Sequence, residues 1–440
     1  MAKIVLIGAN HAGTAAANTI LDNYPENELV IFDSNSNISY LGCGTALWVG
    51  RQIDGSDGLF YSSREILAAK KAAVHMETPV TRIDFEAKKV FAEGGIVESY
   101  DKLILATGSL PIIPKIKGLD LPQVAYAKRF QDGQNINRLL DEGDIKNVAV
   151  VGAGYIGVEL AEAVRRRGKN VLLFEAAATS LSTYYDDWFT QDMDKVLKDN
   201  GIALHFGELV QEVRGEERVT GIATDRGEYP VDMVIMAIGF RPNTSLAAGA
   251  LETFPNGAYK VNLRQETGTD GVYAIGDCAT VYSNAVENTA YIALATNAVR
   301  SGVVAGHNAC GTPLESAGVQ GSNGICIYGY KMVSTGLNLA AAQKAGYTPL
   351  YTQFEDTQKP AFIKDDNHKV KIRIVYDKKT RRILGAQMAS YQDISMGIHL
   401  FSLAIEEKVT IDKLKLLDIF FLPHFNQPYN YITMAALSAP

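Results

Sequence analysis

Short runs of β-branched and aliphatic residues, each ending at a glycine or an acid, recur along the chain. The first run, Lys3–Ile7, leads into Gly8 and an alanine-rich stretch, and a second run, Glu28–Phe32, ends at Asp33. This succession predicts a strand–turn–helix–strand unit, in which the two apolar runs form the strands and the alanine-rich stretch forms the helix.

The same arrangement returns in the middle of the chain. A predicted strand, Asn147–Val151, precedes Gly152 and a helix from about Gly154 to Arg167, and the next strand, Val171–Phe174, ends at Glu175. Two such units in one chain predict two dinucleotide-binding domains of the Rossmann type, each built on a parallel sheet.

Other apolar runs also end in glycine turns. They are Leu103–Ala106 before Thr107 and Gly108, Met233–Ala237 before Ile238 and Gly239, and Val272–Ile275 before Gly276 and Asp277. From about Gly311 the pattern changes to a predicted hairpin, a helix from about Ile394 to Glu407 and an aromatic segment, Phe420–Tyr431. The hairpin strands are Val370–Tyr376 and Arg382–Met388, with a turn at Asp377–Thr380. This last part is predicted to be an α+β packing or dimerisation domain.

Composition and charge narrow the class of protein. The 440 residues include 42 Lys and Arg against 49 Asp and Glu, a net charge of −7, which argues against nucleic-acid binding. No apolar run reaches the roughly 18 residues of a membrane-spanning helix. The four cysteines, Cys43, Cys278, Cys310 and Cys326, have neither disulfide-motif nor zinc spacing, so we expect no metal site and a cytoplasmic location.

The second unit carries a complete dinucleotide fingerprint, Gly152-Ala153-Gly154-Tyr155-Ile156-Gly157. Its glycines allow a pyrophosphate to approach the N–H groups at a helix N-terminus, and Glu175 is placed to accept ribose hydroxyls. Residues 176–179 include no Arg to hold a 2′-phosphate, which favours NADH over NADPH. The alternatives are a packing turn and, for Glu175, a solvated strand end.

The first unit departs from the fingerprint at one position. In Gly8-Ala9-Asn10-His11-Ala12-Gly13, Asn10 stands where the middle glycine is expected, whereas Asp33 supplies the ribose-binding acid. Asp277 lies at a later strand end and suits a polyol such as the ribityl chain of FAD, although a helix N-cap is the alternative. Two dinucleotide sites predict tightly held FAD and exchanging NADH.

Cys43 and His11 are the candidate catalytic residues. Glycines flank Cys43, and a helical run follows it, so we expect a lowered thiol pKa and a thiolate that cycles through a sulfenic acid or a mixed disulfide. His11 lies in the first glycine turn and is expected to pair with the thiolate or to donate a proton. The inert reading of Cys43 stays open. His424 is expected to be a core or interface residue, and the other three cysteines are expected to be buried.

Together these motifs resemble the single-cysteine pyridine nucleotide–disulfide oxidoreductases, and the resemblance runs from end to end. It rests on both glycine turns and on residues 37–44, 106–108, 239–244, 276–277, 293–298 and 420–423. It implies FAD contacts at Gly8, Asn10, His11, Ala12, Gly13, Asp33, Ser39, Cys43, Ala106, Thr107, Gly108, Asp277, Leu294, Ala295 and Thr296. It implies NADH contacts at Gly152, Gly154, Tyr155, Ile156, Gly157, Glu159, Glu175 and Gly239, with Tyr155 lying over the flavin.

The resemblance also implies a domain order. An FAD-binding domain would comprise residues 1–112 and 244–312, an NADH-binding domain residues 113–243, and a C-terminal dimerisation domain residues 313–440. The expected fold class is therefore α/β, with two Rossmann-like domains and an α+β C-terminal domain.

Within this family the chain looks most like the water-forming NADH oxidases of lactic acid bacteria and streptococci. That implies reduction of dioxygen to water, with hydrogen peroxide as an intermediate and Cys43 cycling between thiolate and sulfenic acid. A homodimer, with a tetramer as the alternative, and no nucleic-acid or membrane partner are expected. NADH peroxidase, CoA-disulfide reductase and an FAD-binding redox sensor stay open. Val299 stands where the peroxidase pattern has an Arg, which disfavours an NADH peroxidase. The chain also departs from the family at Gly42, which replaces a serine common before the redox cysteine.

Overall fold

The computed structural model describes the whole chain, residues 1–440. The first part contains β1 (Lys3–Ile7), α1 (His11–Asn23), β2 (Glu28–Phe32), α2 (Thr45–Val49), α3 (Arg64–Ala69), β3 (Ala73–His75), β4 (Val80–Asp84), β5 (Lys89–Ala92), β6 (Ile96–Ser99), β7 (Lys102–Leu105) and β8 (Ser109–Pro111). The next part contains β9 (Val124–Tyr126), α4 (Phe130–Asp141), β10 (Asn147–Val151), α5 (Tyr155–Arg166), β11 (Asn170–Glu175), α6 (Asp187–Asp199), β12 (Ile202–Phe206), β13 (Val210–Gly215), β14 (Val219–Thr224), β15 (Glu228–Tyr229), β16 (Met233–Met236) and β17 (Phe240–Pro242).

The chain then returns to the first part with β18 (Val272–Ala274), β19 (Val281–Ser283), β20 (Asn288–Ala290) and α7 (Ala295–Ala309). The last part contains β21 (Asn323–Ile327), β22 (Tyr330–Gly336), α8 (Leu339–Lys344), β23 (Pro349–Thr357), β24 (Lys369–Asp377), β25 (Ile383–Ser390), α9 (Ser395–Glu406), α10 (Ile411–Leu414) and α11 (Tyr431–Leu437).

A five-stranded parallel sheet organises the first part, in the order β18-β7-β1-β2-β3. Its central strand, β1, buries four consecutive apolar residues, Ile4–Ile7, as expected for a strand covered on both faces. Helices α1 and α7 pack closely on this sheet because their contact consists of small residues. A Cβ on Gly302 of α7 would overlap the carbonyl oxygen of Ala12 in α1.

A second five-stranded parallel sheet, β12-β11-β10-β16-β9, repeats the design in the middle of the chain. The predicted strands of both units are confirmed, and β7, β16 and β18 end just before their glycine turns. The chain leaves the first part through β8 and re-enters it through β17, and these two strands pair with each other. The predicted domain boundaries at residues 112 and 243 follow these strands and stay predictions.

The last part is built on an antiparallel sheet, β21-β22-β25-β24-β23, covered by α9 and α11. The predicted hairpin is β24–β25, and Asp377 accepts hydrogen bonds from the backbone and hydroxyl of Thr380 in its turn. The predicted helix is α9. The expected fold class, two Rossmann-like α/β domains followed by an α+β domain, is confirmed. None of the helices combines the length and the apolar character that crossing a membrane requires.

Candidate redox site between two dinucleotide turns

The two glycine turns have the same geometry. Gly8 and Gly152 both have φ near +100°, a conformation that disfavours any residue with a Cβ. A Cβ on Gly8 would overlap the carbonyl oxygen of Ala106, and a Cβ on Gly152 would press on that of Ala237. The third glycines, Gly13 and Gly157, pack their helices against the first glycines in the same way. These four glycines are therefore required by packing within the protein.

The middle position of each turn is different. Asn10 (φ −84°, ψ −154°) and Gly154 (φ −74°, ψ −171°) adopt the same extended conformation, which every residue tolerates. A Cβ on Gly154 would meet nothing within 4 Å, so the space beside it is free for a pyrophosphate. Asn10 is thus compatible with an intact dinucleotide turn, and the apparent defect in the first fingerprint is explained.

The acids at the ends of β2 and β11 brace these turns. Asp33 accepts a hydrogen bond from the backbone N–H of Ala9 at 2.7 Å, and Glu175 accepts one from that of Ala153 at 2.8 Å. Burial raises the pKa of Asp33. Because each carboxylate oxygen has further acceptor capacity, this bracing leaves room for a ribose hydroxyl. The reading of Glu175 as a merely solvated strand end is therefore wrong.

The helix N-termini that follow the two glycine turns, and that of α7, are left open, as are those of α2 and α9. The residues that precede α1, α5 and α7, namely Asn10, Gly154 and Leu294, make no side-chain capping hydrogen bond, and no acid occupies the first turn of any of these helices. By contrast, Ser63, Asn338 and Asn430 cap α3, α8 and α11. Uncapped N–H groups together with the helix dipole form sites for anions, which fits two dinucleotide pyrophosphates. Ala295 and Thr296 belong to the open first turn of α7.

Asp277 lies beside this region and is not a helix cap. Its Oδ2 accepts hydrogen bonds from the Ser109 hydroxyl at 2.7 Å and from Lys128 Nζ at 3.1 Å, while its Oδ1 has no partner within the chain. Lys128 comes from the middle part of the chain, so this ion pair joins the two dinucleotide-binding regions. The free Oδ1 can accept a hydrogen bond from a polyol.

Thr107, Gly108 and Gly239 lie where the two parts join. The Thr107 hydroxyl donates to the carbonyl oxygen of Asn243, and Asn243 donates back to the Thr107 carbonyl. Gly108 has φ +70° and a Cβ there would meet no atom within 4 Å, so its surface is open to a ligand. Gly239 has φ +103° just after β16. Ser39 differs from the other predicted FAD residues because its side chain is not open to a ligand. It is fully buried and hydrogen-bonded to residues 61 and 62.

Cys43 lies in a single 3-10 turn, Gly42–Gly44, immediately before α2. A hydrogen-bonded chain fixes this turn: the Thr45 hydroxyl donates to the Gly42 carbonyl at 2.7 Å, and the Tyr40 hydroxyl contacts the Thr45 hydroxyl at 2.6 Å. Cys43 is an exposed residue, and its thiol forms no disulfide. Cys43 is therefore not a buried core residue, and its reactivity stays a prediction.

The expected lowering of the Cys43 pKa is wrong for the protein alone. Partial burial raises the pKa of the thiol, and the neighbouring Glu159 carboxylate raises it further, whereas Lys128 lowers it. Helix α2 has only five residues, too few for a strong dipole to offset these effects.

Asp277 and Lys128 are also neighbours of His11. Burial lowers the pKa of His11 first, and Lys128 lowers it as well, while Asp277 raises it. His11 and Cys43 thus share two charged neighbours, Lys128 and Asp277, and their catalytic pairing stays a prediction. The Nδ1 atom of His11 lies 2.9 Å from the hydroxyl of Tyr61.

Tyr155 and Glu159 enter the site from α5. The hydroxyl of Tyr155 contacts that of Tyr185 at 2.7 Å and also Asn323 of the C-terminal domain. Glu159, one turn further along, forms no hydrogen bond, and burial followed by Glu162 raises its pKa to about 7. Ile156 packs against the core beneath them.

The sequence missed Tyr61, Ser109 and Lys128. Tyr61 follows no recognisable motif, and Ser109 and Lys128 reach Asp277 from far along the chain, so no local pattern marks them.

The expectation that the other three cysteines are buried holds for only one of them. Cys278 is buried, but Cys310 is half-buried and Cys326 is exposed. His424 is exposed in the single chain, so of the two expected places, core or interface, the core is excluded and the interface stays a prediction.

Two family models match the chain. Residues 2–302 match the pyridine nucleotide-disulphide oxidoreductase model, and residues 323–430 match the dimerisation domain of the same family. The chain is 58% identical over its full length to an NADH oxidase of Streptococcus pyogenes serotype M6, whose length is also fully covered. It is 56% identical to an NADH oxidase of Lactococcus lactis subsp. cremoris, over 99% of this chain and 100% of that protein.

The fold is similar to a solved structure of the same kind. The water-forming NADH oxidase from Lactobacillus brevis bound to NADH superimposes with a TM-score of 0.96 at 38% identity, covering 100% of this chain and 98% of that one. These likenesses confirm the expected enzyme class, an NADH oxidase, and the expected cofactors, FAD and NADH. The chain belongs to the pyridine nucleotide-disulphide oxidoreductase family.

Proposed function

We propose that the protein reduces dioxygen by four electrons to two waters, at the expense of two NADH, through a Cys43 thiolate–sulfenic acid cycle. One observation carries this proposal: an exposed thiol has Glu159 and the Lys128–Asp277 ion pair as charged neighbours, and His11 shares that ion pair. A thiol without a partner cysteine suits two-electron reduction of a peroxide better than disulfide exchange.

The cofactors are assigned to the two turns. We propose that the first turn, Asp33, Ala106–Gly108, Asp277 and the start of α7 hold FAD, and that the second turn, Glu159, Glu175 and Gly239 hold NADH. FAD held there would supply the redox chemistry that links NADH to dioxygen and to the sulfenic acid. The absence of an arginine after Glu175 supports NADH as the preferred nucleotide.

Cys43 then acts on the hydrogen peroxide retained in the site. A sulfur–oxygen bond forms, the oxygen–oxygen bond breaks, and the thiol proton ends on the leaving oxygen as the first water. The second NADH reduces the sulfenic acid, which regenerates the thiol and releases the second water with one proton from solvent. Lys128 favours the attacking thiolate because its charge lowers the thiol pKa. His11, whose pKa the same ion pair affects, would orient the peroxide.

We propose the predicted domain division, 1–112 with 244–312, 113–243 and 313–440, for the same enzyme. A homodimer and a cytoplasmic location belong to this proposal. The match of residues 323–430 to a dimerisation domain supports the homodimer.

The test follows NADH loss, oxygen uptake and peroxide release together. The unmodified protein is expected to consume two NADH per dioxygen and to release no peroxide. Cys43→Ser is expected to consume one NADH per dioxygen and to release peroxide, because the second half of the cycle is missing. Cys326→Ser is the matched control, since it removes an exposed thiol outside the site. Full water formation by Cys43→Ser would overturn the mechanism, and failure of the unmodified protein to take up oxygen would favour an NADH peroxidase.

A further inference from the structure

Tyr61 makes the only side-chain hydrogen bond of His11. The hydroxyl of Tyr61 lies 2.9 Å from Nδ1 of His11, and the two rings are nearly parallel, with 6° between their planes and 5.8 Å between their centroids. This leaves Nε2 as the one ring nitrogen of His11 that is free for the reaction.

The backbone of Tyr61 is fixed to the redox segment. The Ser39 hydroxyl accepts hydrogen bonds from the N–H groups of Tyr61 at 3.0 Å and Ser62 at 2.7 Å, and it donates to the Ser62 carbonyl at 2.9 Å. Ser39 itself donates its N–H to the carbonyl of Ala9 in the first glycine turn. Tyr61 is thus tied to the turn that carries His11 and lies alongside the segment that leads to Cys43.

The direction of the hydrogen bond between Tyr61 and His11 determines which ring nitrogen of His11 carries the proton. Burial lowers the pKa of His11, and burial raises the pKa of Tyr61, so a neutral imidazole faces a protonated phenol. A neutral imidazole carries one N–H, and whichever nitrogen accepts a hydrogen bond leaves the proton on the other. Asp277 and Lys128 are the charged groups that face His11, and their opposite effects on its pKa partly cancel.

We propose that Tyr61 is a positioning residue whose hydroxyl donates to Nδ1 of His11 and thereby holds the ring proton on Nε2, ready for the peroxide. This inference rests on the proposed function. When Cys43 attacks, the Nε2–H group donates a hydrogen bond to the leaving oxygen, which gains negative charge as the oxygen–oxygen bond breaks. The thiol proton balances the step, so His11 ends in the form in which it began.

The step is measured with added hydrogen peroxide and the reduced holoenzyme, without oxygen, as the rate of sulfenic acid formation at Cys43. Tyr61→Phe keeps the stacked ring and removes only the hydroxyl. We expect it to slow this reaction about 3- to 10-fold, the range set by one neutral hydrogen bond. Flavin reduction by NADH is expected to be unchanged. Tyr282→Phe is the control, because Tyr282 is a partly exposed tyrosine whose hydroxyl makes no hydrogen bond.

A double-mutant cycle separates positioning from packing. If Tyr61 acts through His11, adding Tyr61→Phe to His11→Gln causes no further loss of rate. A Tyr61→Phe variant as fast as the unmodified protein, or losses that simply multiply in the double variant, would overturn the proposal. Those results would count against Tyr61 alone, whereas undiminished peroxide reaction in Cys43→Ser would count against the proposed function.

Discussion

At the scale of single residues, burial and nearby charges of both signs act on the pKa of the Cys43 thiol. Glu159 raises the pKa of the thiol and Lys128 lowers it, while Lys128 is itself held by Asp277. Both residues come from the middle part of the chain, whereas Cys43 belongs to the first part. The electrostatics of the sulfur therefore depend on how the two dinucleotide-binding regions sit against each other.

This arrangement predicts opposite effects from two neutral substitutions. Glu159→Gln removes a carboxylate that ionises with a pKa of about 7, so above that pH the Cys43 pKa should fall. Lys128→Met removes the nearby cation, so the Cys43 pKa should rise. The measurement is the rate of Cys43 alkylation by iodoacetamide as a function of pH, with Cys326 replaced by Ser to remove a second exposed thiol.

The pH dependence distinguishes the two residues further. Below pH 7 Glu159 is mostly protonated and Glu159→Gln should change the alkylation rate little, whereas above pH 7 the variant should react faster than the parent. A shift of about one pKa unit in either variant corresponds to about 1.4 kcal/mol of interaction with the thiolate. Shifts in the same direction for both variants would show that packing, and not charge, controls the sulfur.

At the scale of elements, the strand–turn–helix units were predictable and the contacts between them were not. The bounds of β1, β2 and β10 follow directly from runs of apolar residues, because a strand buried on both faces needs nearly every side chain to be apolar. Cys43 and His11 were recognisable because each lies in or beside a glycine turn. Tyr61 and Lys128 reach the site only through the tertiary fold, so their roles could not be read from local sequence.

The glycine turns give a testable prediction at this scale. Gly8→Ala should destabilise the protein by about 3 kcal/mol or more and lower its flavin content, because the residue has φ +100° and its Cβ would overlap the Ala106 carbonyl. Asn10→Ala should change stability by less than about 0.5 kcal/mol, since Asn10 has an ordinary φ and makes no capping hydrogen bond.

Urea unfolding and the flavin-to-protein ratio measure both effects. Asn10→Ala is the matched control for Gly8→Ala, because both substitutions introduce alanine into the same turn. If Asn10→Ala lost as much stability as Gly8→Ala, then the middle position would be constrained by the protein, contrary to the open space beside Gly154.

At the scale of the whole molecule, the C-terminal domain presents apolar side chains that the single chain leaves uncovered. Leu416, Phe420, Phe425 and Tyr429 are each more than half exposed, and they lie within one short segment between α10 and α11. Exposed aromatic and aliphatic residues clustered in this way are typical of a subunit interface. Because residues 323–430 match a dimerisation domain, we expect this segment to be covered by a second copy of the chain.

The prediction is that Phe420→Glu combined with Phe425→Glu converts a dimer to a monomer, because two charges would have to be buried without partners. Size-exclusion chromatography with light scattering measures the mass, and Val97→Glu, which places a charge at an exposed apolar residue of β6, is the control. His424 lies between the two substituted residues, so the variant also reports on it. If the monomer keeps full activity, His424 has no part in a site completed by the partner; if the unmodified chain is itself a monomer, the interface is absent.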